Sequence, residues 1–222
     1  MCRLLLLLPL SLLLAQAPPG WKEFTIGPAT RNASRFNPRE GLRAEGIPLR
    51  RAIARAWGIP EYLIVGPEWI ANQRYAITAL ISGEPQSFEP LFQAELGKRL
   101  HLEAHREKRP SPVYVLQRID DVPHRLHETM GGESRSEFTR GSVTITGGTL
   151  DGLVQQLSLM LNRPVLDETG ILARKFDINL KWDAADPASL VAAAKEQLGL
   201  QLVEVKREVN FLVVDRVEQL IL

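Results

Sequence analysis

The chain has 222 residues, of which 45% are apolar, with 27 Lys plus Arg, 26 Asp plus Glu and one cysteine. This near-neutral balance, with both signs interspersed, provides no electrostatic attraction to nucleic acid or to an anionic membrane. A single cysteine excludes an internal disulfide, so an apolar core must hold the fold, and the length is sufficient for one.

Residues 1–17 have the pattern of a secretory signal peptide. Arg3 precedes an apolar run that ends at Ala15, and the small residues Ala15 and Ala17 predict cleavage after Ala17. The run is short for a membrane span, which needs about 20 residues, and an uncleaved anchor is the alternative. Cys2 has no lipobox before it. We therefore expect an exported, periplasmic or extracellular protein with no membrane span after cleavage.

The chain contains an internal repeat. Residues 42–83 and 143–184 share one hydrophobic pattern at an offset of 101, which aligns Leu49 with Leu150 and Tyr75 with Phe176. The match resumes one residue shorter, at Leu100 against Leu200. A gap-free run of this length favours duplication over chance.

The first predicted unit covers residues 18–117 and begins with an alternating strand at residues 24–26. A helix follows, with apolar residues on one face, and it stops at Gly58. Its apolar positions are Leu49, Ala52, Ile53, Ala56 and Trp57. Alternation then predicts a strand at residues 74–79, a helix at 88–99, a strand at 100–105 and a central strand at 113–116.

Residues 118–140 are polar, contain Gly131-Gly132 and predict a flexible linker. The second unit, residues 141–222, repeats the order of the first. It has a strand, a helix ended by Asn162, a strand at 176–182, a helix at 189–198 and a closing hairpin of residues 200–205 and 211–215. The predicted fold class is α+β, with two homologous β-α-β-β-α-β-β units packed as a pseudo-symmetric pair.

Two histidine clusters could bind a metal ion. His101, Glu103 and His105 alternate along the predicted strand and would project from one face. His124 and His127, preceded by two aspartates, form the second cluster. A solvated strand face is the favoured explanation of the first cluster and a polar linker that of the second, so we expect no bound metal and no cofactor.

No other motif points to catalysis. The chain has no Gly-x-Ser-x-Gly elbow, and its cysteine lies in the predicted signal, so we assign no catalytic residues. Asp167 and Glu168 are adjacent and are interpreted as turn residues, because neighbouring side chains point apart. Gly147-Gly148 before a helix is interpreted as a structural turn instead of an anion site. Trp69 has Gly170 as its repeat counterpart, and this asymmetry makes it an interaction candidate. The favoured alternative is a packing role, in which Trp69 covers the predicted seam between the two units.

Several motifs resemble a large family of secreted bacterial proteins, described as soil-associated, whose function is unassigned. They include Val65-Gly66-Pro67-Glu68-Trp69, Leu102-Glu103-Ala104-His105-Arg106-Glu107, Pro112-Val113-Tyr114-Val115-Leu116 and Arg163-Pro164-Val165-Leu166-Asp167-Glu168-Thr169-Gly170. The resemblance covers nearly all of the chain after the signal and implies no agreed catalytic residues. The order of elements is also distantly similar to the short N-terminal domain of secretins and TonB-dependent receptors, which implies docking onto envelope partners.

These observations favour an exported, non-enzymatic module that binds an envelope protein or surface component. Its interaction candidates are Trp69, His101, Glu103 and His105. One alternative is a metal-assisted hydrolase that uses the His101, Glu103 and His105 face. The other is a small-ligand binder in a groove between the two units.

Overall fold

The computed structural model describes residues 19–29, 33–37, 40–82, 87–130, 133–171 and 174–220. The predicted signal peptide lies outside this range. Within the described residues the fold is mixed, with four α-helices and three four-stranded sheets, which confirms the α+β class. None of the helices described is long and apolar enough to cross a membrane.

The chain forms two compact units whose limits differ from those of the sequence repeats. Unit 1 consists of residues up to Ile59, Gly66–Glu103 and the C-terminal residues from Val214. Unit 2 consists of Pro60–Val65 and Ala104–Val213. A short segment of the first repeat therefore belongs to the compact body formed mainly by the second.

Unit 1 contains an antiparallel sheet, here called sheet A. Its strands are β1 (Trp21–Pro28), β2 (Ser34–Asn37), β3 (Gly41–Pro48) and β5 (Arg74–Ile81), in the order β1-β5-β3-β2. The two central strands place alternate apolar side chains inward, among them Leu42, Tyr75 and Ile77. Alternation in the sequence predicted this burial, because successive strand residues face opposite sides.

Two helices complete unit 1. Helix α1 (Leu49–Trp57) buries four of its five predicted apolar positions, with Trp57 half-buried, and ends at Gly58, which adopts the left-handed conformation with φ of 61°. Helix α2 (Phe88–Leu100) lies beside it, and the Gln93 side chain donates to the Ala56 carbonyl at 2.8 Å. Four aromatic rings join α2 to β1, with centroids 5.1–6.3 Å apart; they belong to Trp21, Phe24, Phe88 and Phe92.

Unit 2 contains a second antiparallel sheet, here called sheet C. Its strands are β7 (His127–Glu128), β8 (Arg135–Thr139), β9 (Ser142–Gly148) and β11 (Phe176–Lys181), in the order β7-β11-β9-β8. The order of sheet A is thus repeated, with β7 and β8 in the positions of β1 and β2. The segment predicted as a polar linker supplies both edge strands.

The helices of unit 2 are α3 (Leu150–Leu161) and α4 (Pro187–Ala193), which continues as a π-helical turn, Ala194–Leu198. Asp186 caps α4 by accepting from the Ala188 N–H at 2.9 Å, and Pro187 occupies the first turn. The helices end at Asn162 and Gly199, both left-handed, as predicted. Their buried residues share one apolar core with β9 and β11.

A third sheet, here called sheet B, has the order β10-β6-β12-β4. Its strands are β4 (Ile64–Val65), β6 (Glu103–Arg118), β10 (Val165–Asp167) and β12 (Leu200–Arg216). Strand β4 of the first repeat pairs in parallel with β12 of the second, and β10 of the second pairs in parallel with β6 of the first. This exchange explains why residues 60–65 belong to unit 2.

The long strands correct two predictions. The residues 100–105 do not form one strand, because α2 extends to Leu100 and β6 begins at Glu103. The predicted hairpin of residues 200–205 and 211–215 is one continuous strand, β12. Polar residues in the middle of each long strand interrupt the apolar pattern, but each strand is continuous through them.

Candidate functional site

Trp69 lies in a 3-10 turn of unit 1, Glu68–Ala71, and is half-buried. Its carbonyl oxygen accepts hydrogen bonds from the backbone N–H groups of Asn72 at 3.0 Å and Gln73 at 2.8 Å. The preceding turn is tight, because a Cβ atom on Gly66 would lie 3.0 Å from Val214 Cβ. The backbone of Trp69 therefore helps to close the turn, while part of its ring remains accessible.

His101 does not lie on a strand. It ends helix α2 in the left-handed conformation, with φ of 47°, and its side chain is exposed. Its Nε2 atom lies 3.8 Å from Glu218 Oε2, and the Glu218 backbone N–H donates to the Leu100 carbonyl at 2.7 Å. The structure thus uses this position to end a helix and to hold the C-terminal segment.

His105 belongs to a row of charged side chains on β6. Its Nε2 atom lies 3.7 Å from Glu107 Oε2, and Glu107 accepts two hydrogen bonds from Arg109, both at 2.7 Å. The Arg109 hydrogen bonds lower the pKa of Glu107, and Glu107 raises the pKa of Arg109. Glu103, at the start of the strand, is exposed. These are solvent-screened ion pairs, which contribute little to stability.

The histidine clusters do not form a metal centre within the described residues. No group of three His, Cys, Asp or Glu side chains there is arranged to bind a metal ion. For the first cluster, the left-handed turn at His101 breaks the alternation that the sequence suggested.

The turn after β10 has a structural role, as interpreted from the sequence. Asp167 Oδ1 accepts from the Thr169 N–H at 2.8 Å, and Thr169 Oγ1 accepts from the Ile171 N–H at 3.1 Å. Gly170 adopts the left-handed conformation that this turn requires. Glu168 points elsewhere and pairs with Arg207 at 3.2 Å. The two acidic neighbours therefore do not act as an acid/base pair.

Gly147 also has a structural role. It adopts the left-handed conformation with φ of 59°, and its backbone N–H donates to Asp177 Oδ1 at 2.8 Å. The Asp177 carboxylate thus uses the Gly147 N–H, which a bound anion would otherwise need as a donor. The two glycines are the last residues of β9, next to an irregularity in its pairing with β11, so the interpretation as a separate turn is corrected to a strand end.

The loop at residues 118–124 surrounds an open hollow of about 790 Å³. Its far end is fixed, because the Arg125 N–H donates to the Leu198 carbonyl at 2.8 Å. The ring of His124 meets Phe176 edge-on with centroids 6.4 Å apart, and its buried Nδ1 has no hydrogen-bond partner among the described atoms. Gly199 leaves room for the loop, since a Cβ there would lie 2.9 Å from the Pro123 carbonyl oxygen.

A second hollow of about 400 Å³ lies on the outer face of sheet C. Polar side chains from β9 and β11 line it, including Thr144, Asp177 and Asn179. Gln197 closes one end, where its side-chain amide pairs with the backbone of Lys181 at 2.9 and 2.6 Å. This surface offers hydrogen bonds but few apolar contacts.

The most unusual surface lies in residues 118–140. Among the described residues, five large apolar side chains are exposed, and Val122, Met130 and Phe138 of this segment are three of them. Met130 is fully accessible, and all five residues of β8 are exposed. Because three of the five lie in one segment of the chain, we take this segment as a candidate interaction surface. We call the described residues of this range, 118–130 and 133–140, the exposed segment, within which Leu126 alone is buried.

The segment has no counterpart in the repeat, which marked it as a place to look for function, but its polar composition concealed its strands and its exposed apolar residues. One signal was present: Arg140-Gly141 forms a two-residue connection between residues 135–139 and the apolar alternation of β9. Two-residue connections that contain glycine are typical of β-hairpins. This signal predicts strand β8, although it does not predict the exposure of both its faces.

Residues 50–217 match the model of a protein family described as protein of unknown function, DUF3738. The match covers most of the chain, and the protein belongs to this family. No curated protein and no solved structure matches the chain. The family match confirms the expectation of a family without an assigned function. The similarity to secretin and TonB-receptor domains and the association with soil bacteria stay hypotheses.

Proposed function

We propose that this protein is an exported, non-enzymatic interaction module that binds a protein of the cell envelope through the exposed segment. The observation that carries the proposal is the concentration of exposed apolar side chains at Val122, Met130 and Phe138. Burying such side chains against a partner contributes about 25 cal/mol per Å² of apolar area. The signal-like residues 1–17 support the location.

The anchoring of the segment supports recognition of a partner by a preformed surface. Arg125 donates from its backbone to Leu198 and from its side chain to the Glu196 carbonyl at 2.5 Å. The Thr129 N–H donates to the Lys175 carbonyl at 2.9 Å, and Arg174 pairs with Glu128. Fixed backbone lowers the entropy lost on binding. These hydrogen bonds fix the backbone between Val122 and Met130 before a partner binds.

A capture experiment tests this function. The chain, produced in an export-competent bacterium and recovered from the envelope fraction, would be crosslinked in native envelope extracts and its partners identified. We expect a specific protein partner, and we expect the paired substitution Val122→Ser with Met130→Ser to weaken capture. The matched control is Leu159→Ser, which removes an equally large exposed apolar side chain from helix α3 of the same unit.

Two results would overturn the proposal. One is the absence of any specific partner in repeated captures. The other is equal weakening by the Leu159→Ser control, which would indicate nonspecific apolar adhesion. Location is tested separately by fractionation and by the mass of the recovered chain, which we expect to have lost residues 1–17. An intact chain held in the cytoplasm would contradict export.

The two alternatives lack an observation that favours them. For the metal-assisted hydrolase, His101 ends a helix and does not share a strand with Glu103 and His105. The ligand site between the units stays a hypothesis, to be tested by ligand screening. The interaction module is favoured because an observed structural feature, the exposed segment, supports it.

A further inference from the structure

Strand β8 has an open backbone edge. It is the last strand of sheet C and pairs only with β9, from Arg135↔Thr146 to Thr139↔Ser142. All five of its side chains are exposed, so no helix of unit 2 covers either face. The other outer strands of unit 2 have two or three residues, namely β4, β7 and β10. Among the outermost strands of the sheets in this unit, β8 is therefore the longest.

The hairpin geometry determines which backbone groups are free. Thr139 and Ser142 flank a two-residue connection, so they form a hydrogen-bonded pair, and such pairs alternate along an antiparallel ladder. Arg135, Glu137 and Thr139 then bond to β9. The N–H and C=O groups of Ser136 and Phe138 point away from β9. A further strand can therefore pair only with these even-numbered positions.

We propose that this edge pairs with β8 of a second copy of the chain, antiparallel and centred on Ser136, to form a symmetric dimer with a continuous eight-stranded sheet. This proposal goes beyond the envelope-binding function and does not depend on it.

Among the symmetric antiparallel registers, the charges of Arg135 and Glu137 favour the one that is centred on Ser136. Centring on Ser136 places Arg135 opposite Glu137 of the second copy, and the two-fold axis repeats this pair. Centring on Glu137 would oppose two carboxylates, and centring on Arg135 would oppose two guanidinium groups. Opposite charges across strands stabilise pairing, and like charges destabilise it. Neither Arg135 nor Glu137 has an ion-pair partner in the described part of this chain.

The shapes of the side chains fit the same register. On the face of Ser136, the exposed Phe138 lies opposite Ser134 of the second copy and diagonally beside Ser136 of that copy. A large apolar ring thus meets small side chains, and part of its exposed surface is covered. Charged edge residues ordinarily protect a sheet against pairing. In β8 the positive Arg135 and the negative Glu137 alternate, so the register centred on Ser136 brings opposite charges together and does not prevent pairing.

The first test is charge reversal, with the association state measured by sedimentation over a range of concentrations. We expect a concentration-dependent dimer for the exported chain. Glu137→Arg or Arg135→Glu alone should weaken association roughly tenfold or more, because two symmetric attractions become repulsions. The double reversal R135E/E137R should restore it. The matched control is Glu208→Arg on β12, an exposed carboxylate without a partner among the described residues, which should change nothing.

The second test fixes the register by crosslinking. In a Cys2→Ser background, Ser136→Cys should crosslink rapidly between copies with a short thiol reagent, because the two-fold axis passes between these residues. Thr139→Cys should not, because the two positions would lie about 20 Å apart along the strands. A proline at position 136 (Ser136→Pro) should abolish the dimer without unfolding the protein, since its N–H is unused in sheet C.

Three outcomes would overturn the proposal. They are a monomer at all concentrations, a dimer that the single reversals leave intact, and a double reversal that does not restore association. Partner capture by an otherwise monomeric chain would leave the envelope function standing and would reject self-pairing. A chain that forms the dimer but captures no partner would support self-pairing and reject the envelope function.

Discussion

Sheets A and C have the same strand order but differ at their edges. In sheet A, the first strand, β1, has eight residues and buries Trp21 and Phe24 against helix α2. In sheet C, the strand in that position, β7, has two exposed residues, His127 and Glu128. The same edge position thus contributes to the core in unit 1 and leaves accessible surface in unit 2. Shared positions form the core, while the unmatched edges are free to acquire a function.

The largest expected effect comes from the aromatic anchor of β1. Phe24→Ala should lower the free energy of unfolding by about 3–5 kcal/mol, because it removes a buried ring that contacts Trp21 and Phe92. Urea unfolding measures this change. His127→Ala in β7 is the matched variant and should have almost no effect. Equal losses of unfolding free energy in the two variants would show that β1 and β7 contribute equally to stability, which contradicts the difference between the two edges.

A buried hydroxyl in unit 2 gives the next effect. Ser158 donates to the Val154 carbonyl at 2.8 Å and accepts from the Val165 N–H at 2.9 Å, which ties α3 to β10. Ser158→Ala should lower the free energy of unfolding by about 1–3 kcal/mol, because a buried N–H loses its acceptor. The exposed Ser136→Ala serves as the control in the same unfolding assay, and a larger loss there would contradict this assignment.

The hydroxyl of Tyr62 offers a spectroscopic check on the same site. Burial raises the pKa of Tyr62, and its hydrogen bond with Ser158 lowers it in part. Ser158→Ala should therefore move the Tyr62 titration further upward.

The helix starts should show a smaller difference. Asp186 accepts from the Ala188 N–H at 2.9 Å and caps α4, whereas Thr149 accepts from the Gly152 N–H at 3.4 Å at the start of α3. Asp186→Ala should therefore lower the free energy of unfolding by about 1 kcal/mol, and Thr149→Ala by less. Thermal unfolding of the two variants measures the difference. The reverse order would show that the cap of α4 is not its stabilising feature.

The smallest effect belongs to the exposed row on β6. Arg109 lowers the pKa of Glu107, so the stabilisation by this carboxylate is complete above the pKa of an unfolded glutamate, about 4.3. It disappears as the pH falls through the lower pKa of the folded state. NMR titration should find that lower pKa, and Arg109→Gln should raise it. Stability at neutral pH should hardly change in Glu107→Gln, because water screens the pair.

Local signals in the sequence predicted local structure well. Helical spacing located the buried face of α1, and Gly58, Asn162 and Gly199 ended three helices as expected. Alternation located β5 and β11. The polar segment before Ser142 was different, because β7 and β8 bury no large side chain. Their pairing depends on backbone hydrogen bonds, which almost any sequence can make, so polarity concealed them.

The candidate residues show the same division. His101, Glu103 and His105 were grouped by spacing alone, and a single left-handed residue at His101 removes the grouping. Trp69 was selected by its asymmetry between repeats, and the structure leaves it half-exposed in unit 1. The exposed segment emerged only from three-dimensional accessibility, because Met130 and Phe138 are ordinary apolar residues in the sequence.

The sequence by itself determined the α+β class, the repeated order of elements, most helix limits and the family. These properties follow from side-chain periodicity and from residues with special backbone conformations, both of which are local. Only the tertiary structure decided that β4 and β10 exchange partners between the repeats and that β7 and β8 close sheet C. Strand pairing joins residues that are far apart in the chain. Its specificity comes from the neighbours that each strand finds, which no single segment encodes.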